Sequence, residues 1–84
     1  MQTTYREIEH IVRLLTHGFI GEANSRWNVQ VGTLSARLRI LSKSSQLEIL
    51  PPLRQILSCQ QSEDWIGMAD VLRYHLNPAL TRNL

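Results

Sequence analysis

From Ile20 to Leu41, apolar side chains return every three or four residues, through Ala23, Trp27, Val31, Leu34 and Leu38. At about 3.6 residues per turn an α-helix gathers such a series on one face, so the spacing predicts a helix of about six turns. The same segment holds a second series, Val29, Thr33, Ala36 and Ile40, on the opposite side. A surface helix needs one apolar stripe. Two stripes mean that the helix is either enclosed on both sides by its own bundle or covered in part by another chain.

The flanking segments read as further helices. Thr4 followed by Glu7 has the form of a capping box, which predicts a helix starting at Thr4 with Tyr5, Ile8, Val12, Leu15 and Phe19 facing inward. Gly18 is a natural stop for it, giving a hairpin; the rival arrangement is one fused rod that tolerates Gly18 and Gly21 at about 1 kcal/mol each. Ser42 to Ser45 ends the second helix. Pro51-Pro52 then predicts an irregular link over 45–50 and a short third helix starting at a proline, with Leu53, Ile56 and Leu57 inward. Ser62, followed by Glu63 and Asp64, reads as the start of a fourth helix, because hydroxyl caps and carboxylates both favour helix N-termini. Trp65, Ala69, Leu72, Leu76 and Leu80 form its inward stripe, which Pro78 must end or kink. The expected architecture is a single all-α domain over 1–84, an up-and-down bundle of about four helices.

Residues 19–24, Phe-Ile-Gly-Glu-Ala-Asn, align without gaps on residues 65–70, Trp-Ile-Gly-Met-Ala-Asp. Each copy opens a long helix, so the bundle reads as two related hairpins, with chance similarity between amphipathic helices as the alternative. Gly18 to Ala23 resembles the turn and second-helix start of tetratricopeptide-type hairpins. Residues 64–80, from Asp64-Trp65 through Ala69-Asp70, Leu72, Tyr74, Leu76 and Pro78 to Leu80, resemble a C-terminal pattern of small, largely uncharacterised bacterial helical proteins, D-aromatic-x-x-x-A-D-x-L-x-Y-E-L-x-P-x-L. His75 stands here in place of the acid after the tyrosine. Some of those proteins resemble flagellar export chaperones, and that resemblance implies a bundle that holds a partner's amphipathic helix.

No recognisable catalytic, metal or cofactor pattern is present, so none of these is expected. His10 and His17 are roughly 10 Å apart along one helix, too far for one ion; His10 is expected in solvent and His17 at the carbonyl end of its helix. Cys59 is the single cysteine, without a base beside it, and is expected to be buried. Glu63, Asp64 and Asp70 are explained largely by helix capping, and the four glycines lack the spacing of a phosphate loop. The start of the chain lacks the layout of a signal peptide, and no apolar run reaches the roughly 18 residues that span a bilayer, which together predict a cytoplasmic protein without a membrane partner.

Nine basic residues face seven acidic ones, a net charge of +2, which is too slight a bias to imply a polyanion. Arg26, Arg37, Arg39 and Lys43 lie in one segment, but no aromatic residues alternate with them to stack bases, so nucleic-acid binding by the second helix is the lesser alternative, and an enzyme with an unrecognised site another. The function expected is non-enzymatic protein binding, either self-association as a homodimer or capture of an amphipathic helix, as in a secretion or motility chaperone. Val29, Ala36, Ile40, Met68 and Val71 are the expected apolar anchors, with Arg37 and Arg39 selecting acidic partners.

Overall fold

The computed structural model describes residues 2–84, and every regular element among them is helical. Helix α1 spans Gln2–Thr16, α2 Ile20–Leu38 and α3 Lys43–Gln61. The last rod runs without a break through α4, Trp65–Val71, a π-helical turn, Leu72–Leu76, and α5, Asn77–Asn83. Short turns make sequential helices antiparallel neighbours, giving the up-and-down bundle. The last rod lies against both α1 and α3, and α2 lies against α1. Three edges of the bundle are therefore packed, while the fourth, between α2 and α3, encloses a cavity.

The core is one cluster built from all four rods, including Ile8, Ile11 and Leu15 from α1, Trp27 and Leu34 from α2, Ile49 and Ile56 from α3, and Leu72, Leu76 and Leu80 from the last rod. Each such side chain contributes about 1.5–3 kcal/mol on burial. Ion pairs between exposed or half-exposed groups join the helices outside that core. Arg26 of α2 meets Glu7 of α1 at 3.0 Å, Arg73 of the π turn meets Glu9 of α1 at 3.1 Å, and Arg82 of α5 meets Glu48 of α3 at 3.1 Å.

Four local expectations are corrected. Thr4 and Glu7 lie inside α1, and the Glu7 carboxylate accepts from Arg26 across the helix interface, so the pair forms no capping box. Helix α2 is 19 residues long and ends at Leu38, which leaves Ile40 and Leu41 in the turn that follows. Helix α3 starts at Lys43, with the Ser42 hydroxyl accepting from the Ser45 amide, and it runs straight through Pro51 and Pro52. The prolines deprive the carbonyls of Leu47 and Glu48 of donors, but both residues are exposed, so water can take those bonds. Ser62 belongs to the end of α3, and Asp64 is the residue that caps α4, accepting from the Gly67 amide at 2.9 Å.

Pro78 does not end the last helix, which continues through it into α5. A proline in an α-helix collides with the carbonyl four residues back, here Tyr74. The π turn widens the spacing just before it, with the Asn77 amide donating to Leu72, and Arg73, Tyr74 and His75 on the widened turn all face solvent.

The two hairpin turns share one geometry. After α1, the Phe19 amide donates to Leu14 at 2.9 Å and that of Gly18 to Leu15 at 3.3 Å; after α3, Asp64 donates to Cys59 at 2.8 Å and Glu63 to Gln60 at 3.2 Å. Both are Schellman turns, with Gly18 at φ 85° and Glu63 at φ 55° in the left-handed position. The two turns thus have the same backbone geometry. Their register is one residue shorter than the match of 19–24 on 65–70, so Phe19 occupies the place of Asp64, and Phe19 is left in solvent at the end of the bundle.

Candidate functional site

The cavity on the open edge measures about 250 Å³ and is lined by Trp27, Asn28 and Val31 of α2 and by Leu53, Leu57 and Gln60 of α3. Trp27 reaches its floor because it lies at the margin of the α2 core stripe, four residues from Ala23 and seven from Leu34. Val31 and Leu57, both expected to face the core, are exposed instead, Leu57 at 55%. They sit on the helix flanks that α2 and α3 turn toward each other across the gap. At this separation they form walls and leave the space between them empty.

Side-chain hydrogen bonds fix both ends of the cleft. At one end Gln60 donates to Asn24 Oδ1 at 2.7 Å, while Asn24 in turn donates to the Ile20 carbonyl at 3.0 Å. At the other, the Gln46 side-chain amide of α3 donates to the carbonyls of Leu38 at 2.7 Å and Leu41 at 3.2 Å, and the Leu38 carbonyl also accepts from the Leu41 backbone amide at 3.2 Å. The apolar lining continues to that end as a shallower hollow between Leu38, Arg39, Gln46 and Leu50.

The charge at the cleft has one sign. Arg39 lines the hollow, Lys43 opens α3 beside it, and Arg54 lies one turn from both Leu50 and Leu57 on the α3 rim. Glu22 and Glu48 sit on the far flanks of α2 and α3, where Glu22 meets Arg26 at 3.5 Å and Glu48 meets Arg82. Arg26 pairs with Glu7 and Glu22, with its side chain 41% exposed.

The expected anchors divide. Val29, Ala36 and Ile40 are exposed on the outer face of α2 and the turn after it, Val29 at 68% and Ile40 at 85%, and they do not line the cleft. Arg37 and Arg39 are exposed as well. Met68 is removed from the set: its side chain is 0% exposed, because the α4 cap at Asp64 turns it into the core beside Ala69 and Leu72. Val71 is half-buried and packed against the same core. The residues that sequence reasoning missed as a site, Val31, Leu53 and Leu57, carried the signal of apolar spacing but were assigned to the core.

The His17 ring nitrogen Nδ1 lies 2.7 Å from the Arg13 carbonyl, at the end of α1 as expected. Burial, and after it the Asp64 carboxylate, push the Cys59 thiol above its ordinary pKa, which disfavours the reactive thiolate. No group of three His, Cys, Asp or Glu residues that could hold a metal occurs among the described residues. An open hollow of about 420 Å³ over Tyr5, Arg6, Glu9 and Arg13 is larger than the cleft but shallower, and three of its four lining residues are charged. Among the described residues, no helix is long and apolar enough to cross a membrane.

Comparison with protein-family profiles, with curated proteins and with solved structures finds no match to this chain.

Proposed function

We propose that this chain is a non-enzymatic protein-binding module that works in the cytoplasm and accepts the apolar edge of a partner's amphipathic helix in the α2–α3 cleft. The observation that carries this reading is the open edge itself, where Val31 and Leu57 stand exposed over a cavity floored by Trp27. At about 250 Å³ the cavity falls below the roughly 300–1,000 Å³ of small-molecule sites, but it exceeds the 150 Å³ or so that accepts a benzene ring. It suits one or two inserted side chains. One anchor contributes about 1.5–3 kcal/mol, less than the 4–15 kcal/mol or so that association costs, so the partner must supply several along the cleft, as a helix does at i, i+3 and i+7. The rim of Arg39, Lys43 and Arg54 favours a helix with acidic flanks. Residues 64–80 resemble a pattern of small, largely uncharacterised bacterial helical proteins, some of which resemble flagellar export chaperones, and this supports a holdase or adaptor role in secretion or motility.

Site-specific photo-crosslinking in the native cell tests this. A crosslinking residue at position 31 or 57 is expected to capture the same protein, one at Gln55 on the far side of α3 to capture none, and Leu57→Glu to abolish capture from position 31. Equal capture from all three positions would overturn the reading.

A further inference from the structure

We propose that the α2–α3 cleft selects a partner helix by register and direction: a large apolar anchor enters the cavity beside Trp27, a second anchor seven residues later enters the hollow at Leu38, and acidic side chains flank that second anchor. This rests on the cleft being a helix-binding site, as proposed above, and adds which helix it takes.

The register comes from a repeat in the lining. Val31, Leu53 and Leu57 wall the cavity, and seven residues from each stands a residue that walls the hollow: Leu38 from Val31, Gln46 from Leu53 and Leu50 from Leu57. Because α2 and α3 are antiparallel, seven residues forward on one and seven back on the other lead the same way along the cleft, by about 10 Å. A helix lying in the cleft offers that spacing in its own positions i and i+7, which share a face. The two seats differ in size. The cavity measures about 250 Å³, whereas the hollow measures about 150 Å³ and is shallower. The first suits an aromatic anchor, and a benzene-sized group or a leucine fills the second.

Charge sets the direction. The cavity end is closed by the neutral pair Gln60 and Asn24, and the chain turns there through Glu63, whose amide donates to the Gln60 carbonyl at 3.2 Å. Arg39 and Lys43 stand at the hollow end, with Arg54 between the two seats. None of these three cations is in an ion pair among the described residues, whereas Arg26, Arg73 and Arg82 are. Their charge is open to a partner. At the hollow α2 ends and α3 begins, so the partial negative charge of one terminus offsets the partial positive charge of the other, and side chains decide the orientation. Acidic residues beside the second anchor meet Arg39 and Lys43, while the same residues beside the first would lie on the Glu63 side, away from both. A helix whose acids follow its large anchor therefore lies parallel to α2.

Two capped synthetic peptides of about 15 residues, roughly four helical turns, test this by titration against the full chain. Both carry a phenylalanine and, seven residues on, a leucine; two glutamates flank the leucine in one and the phenylalanine in the other. The first is expected to bind at least about tenfold tighter, by a margin that shrinks as salt is raised. Arg39→Gln with Lys43→Gln, both exposed positions, should bring it down to the level of the second. A spin label at the glutamate end of the first peptide should broaden the amide signals of Lys43 and Gln46 and spare Gln60. Equal affinities that Leu57→Glu weakens alike, or broadening at Gln60, overturn this inference and leave the cleft a helix site. If neither peptide binds, or Leu57→Glu weakens neither, the helix-binding reading falls and this inference falls with it.

Discussion

Gln60 of α3 donates to the side-chain oxygen of Asn24 of α2 at 2.7 Å, a bond between the two helices that flank the cleft. Their apolar flanks do not meet there, so this bond, with Gln46 at the opposite end, sets how far the cleft opens. Gln60→Ala removes a half-buried hydrogen bond and is expected to cost about 1 kcal/mol. In a domain of this size that lowers Tm by about 4–8 °C, a shift thermal denaturation resolves. The same variant should change Trp27 fluorescence in a Trp65→Phe background, because the cleft floor loses its fixed end wall. An unchanged Tm and spectrum would show that the bond does not hold the helices.

Gly67 is required by the cap that precedes it. A Cβ at this position would run into the Asp64 carboxylate, which accepts from the Gly67 amide. In Gly67→Ala alone the loss of the cap, about 1 kcal/mol, offsets the roughly 1 kcal/mol of helix propensity gained, so stability is expected to change little, whereas Asp64→Ala alone costs about 1 kcal/mol. The pair should not add. Once Asp64 is alanine, the second substitution meets no carboxylate and gains the roughly 1 kcal/mol of helix propensity that alanine has over glycine. A double-mutant cycle in chemical denaturation that came out additive would refute this account.

The cap also shows where the sequence was legible. The apolar periods of α1, α2 and the last rod appear in the fold with Ile8, Val12, Leu15, Trp27, Leu34, Leu72, Leu76 and Leu80 buried as their spacing predicts. Boundaries were less so, because Ser62, Glu63 and Asp64 are all plausible caps and only the competing Schellman turn of α3 decides among them. Pro51-Pro52 misled because helix-breaking is a local average, whereas here tertiary burial of Ile49, Pro52 and Ile56 holds the helix together through the prolines. The cleft was hidden for another reason. Val31 and Leu57 lie on their helices where core residues lie, and only the packing of α2 on α1, rather than equally on α3, leaves them outside.

Glu63 occupies at φ 55° the backbone position that Gly18 occupies at φ 85° in the equivalent turn. An L-residue there costs about 1–2 kcal/mol relative to its ordinary conformations, and glycine avoids most of that. Glu63→Gly is therefore expected to raise stability by up to about 1 kcal/mol, after the extra entropy of glycine in the unfolded chain is subtracted. Gly18→Ala should do the reverse by about 1–2 kcal/mol, even though a Cβ there meets nothing within 4 Å, because the penalty lies in the backbone dihedral and not in contacts. Urea denaturation of the two variants should move the midpoints in opposite directions.

Glu48 is the group whose titration should be visible in the stability of the last helix. Hydrogen bonds from Asn83 at 3.0 Å and from Arg82 at 3.1 Å hold its carboxyl below the ordinary value, the first contributing more than the second. A carboxyl whose pKa is lower folded than unfolded stabilises the fold fully above the unfolded value of about 4.3, and the contribution disappears as pH falls through the lower folded value. Because the pair is exposed, the effect on global stability is small and weakens with salt. It should be clearer locally: amide exchange over Thr81 to Leu84 is expected to accelerate, relative to α1, as pH drops from 5 to 3, after correction for the intrinsic rates at about those values. Glu48→Gln should show the faster relative exchange already at pH 5 and no further change on acidification. If parent and variant kept the same pH dependence, α5 would be held by Ala79 and Leu80 alone.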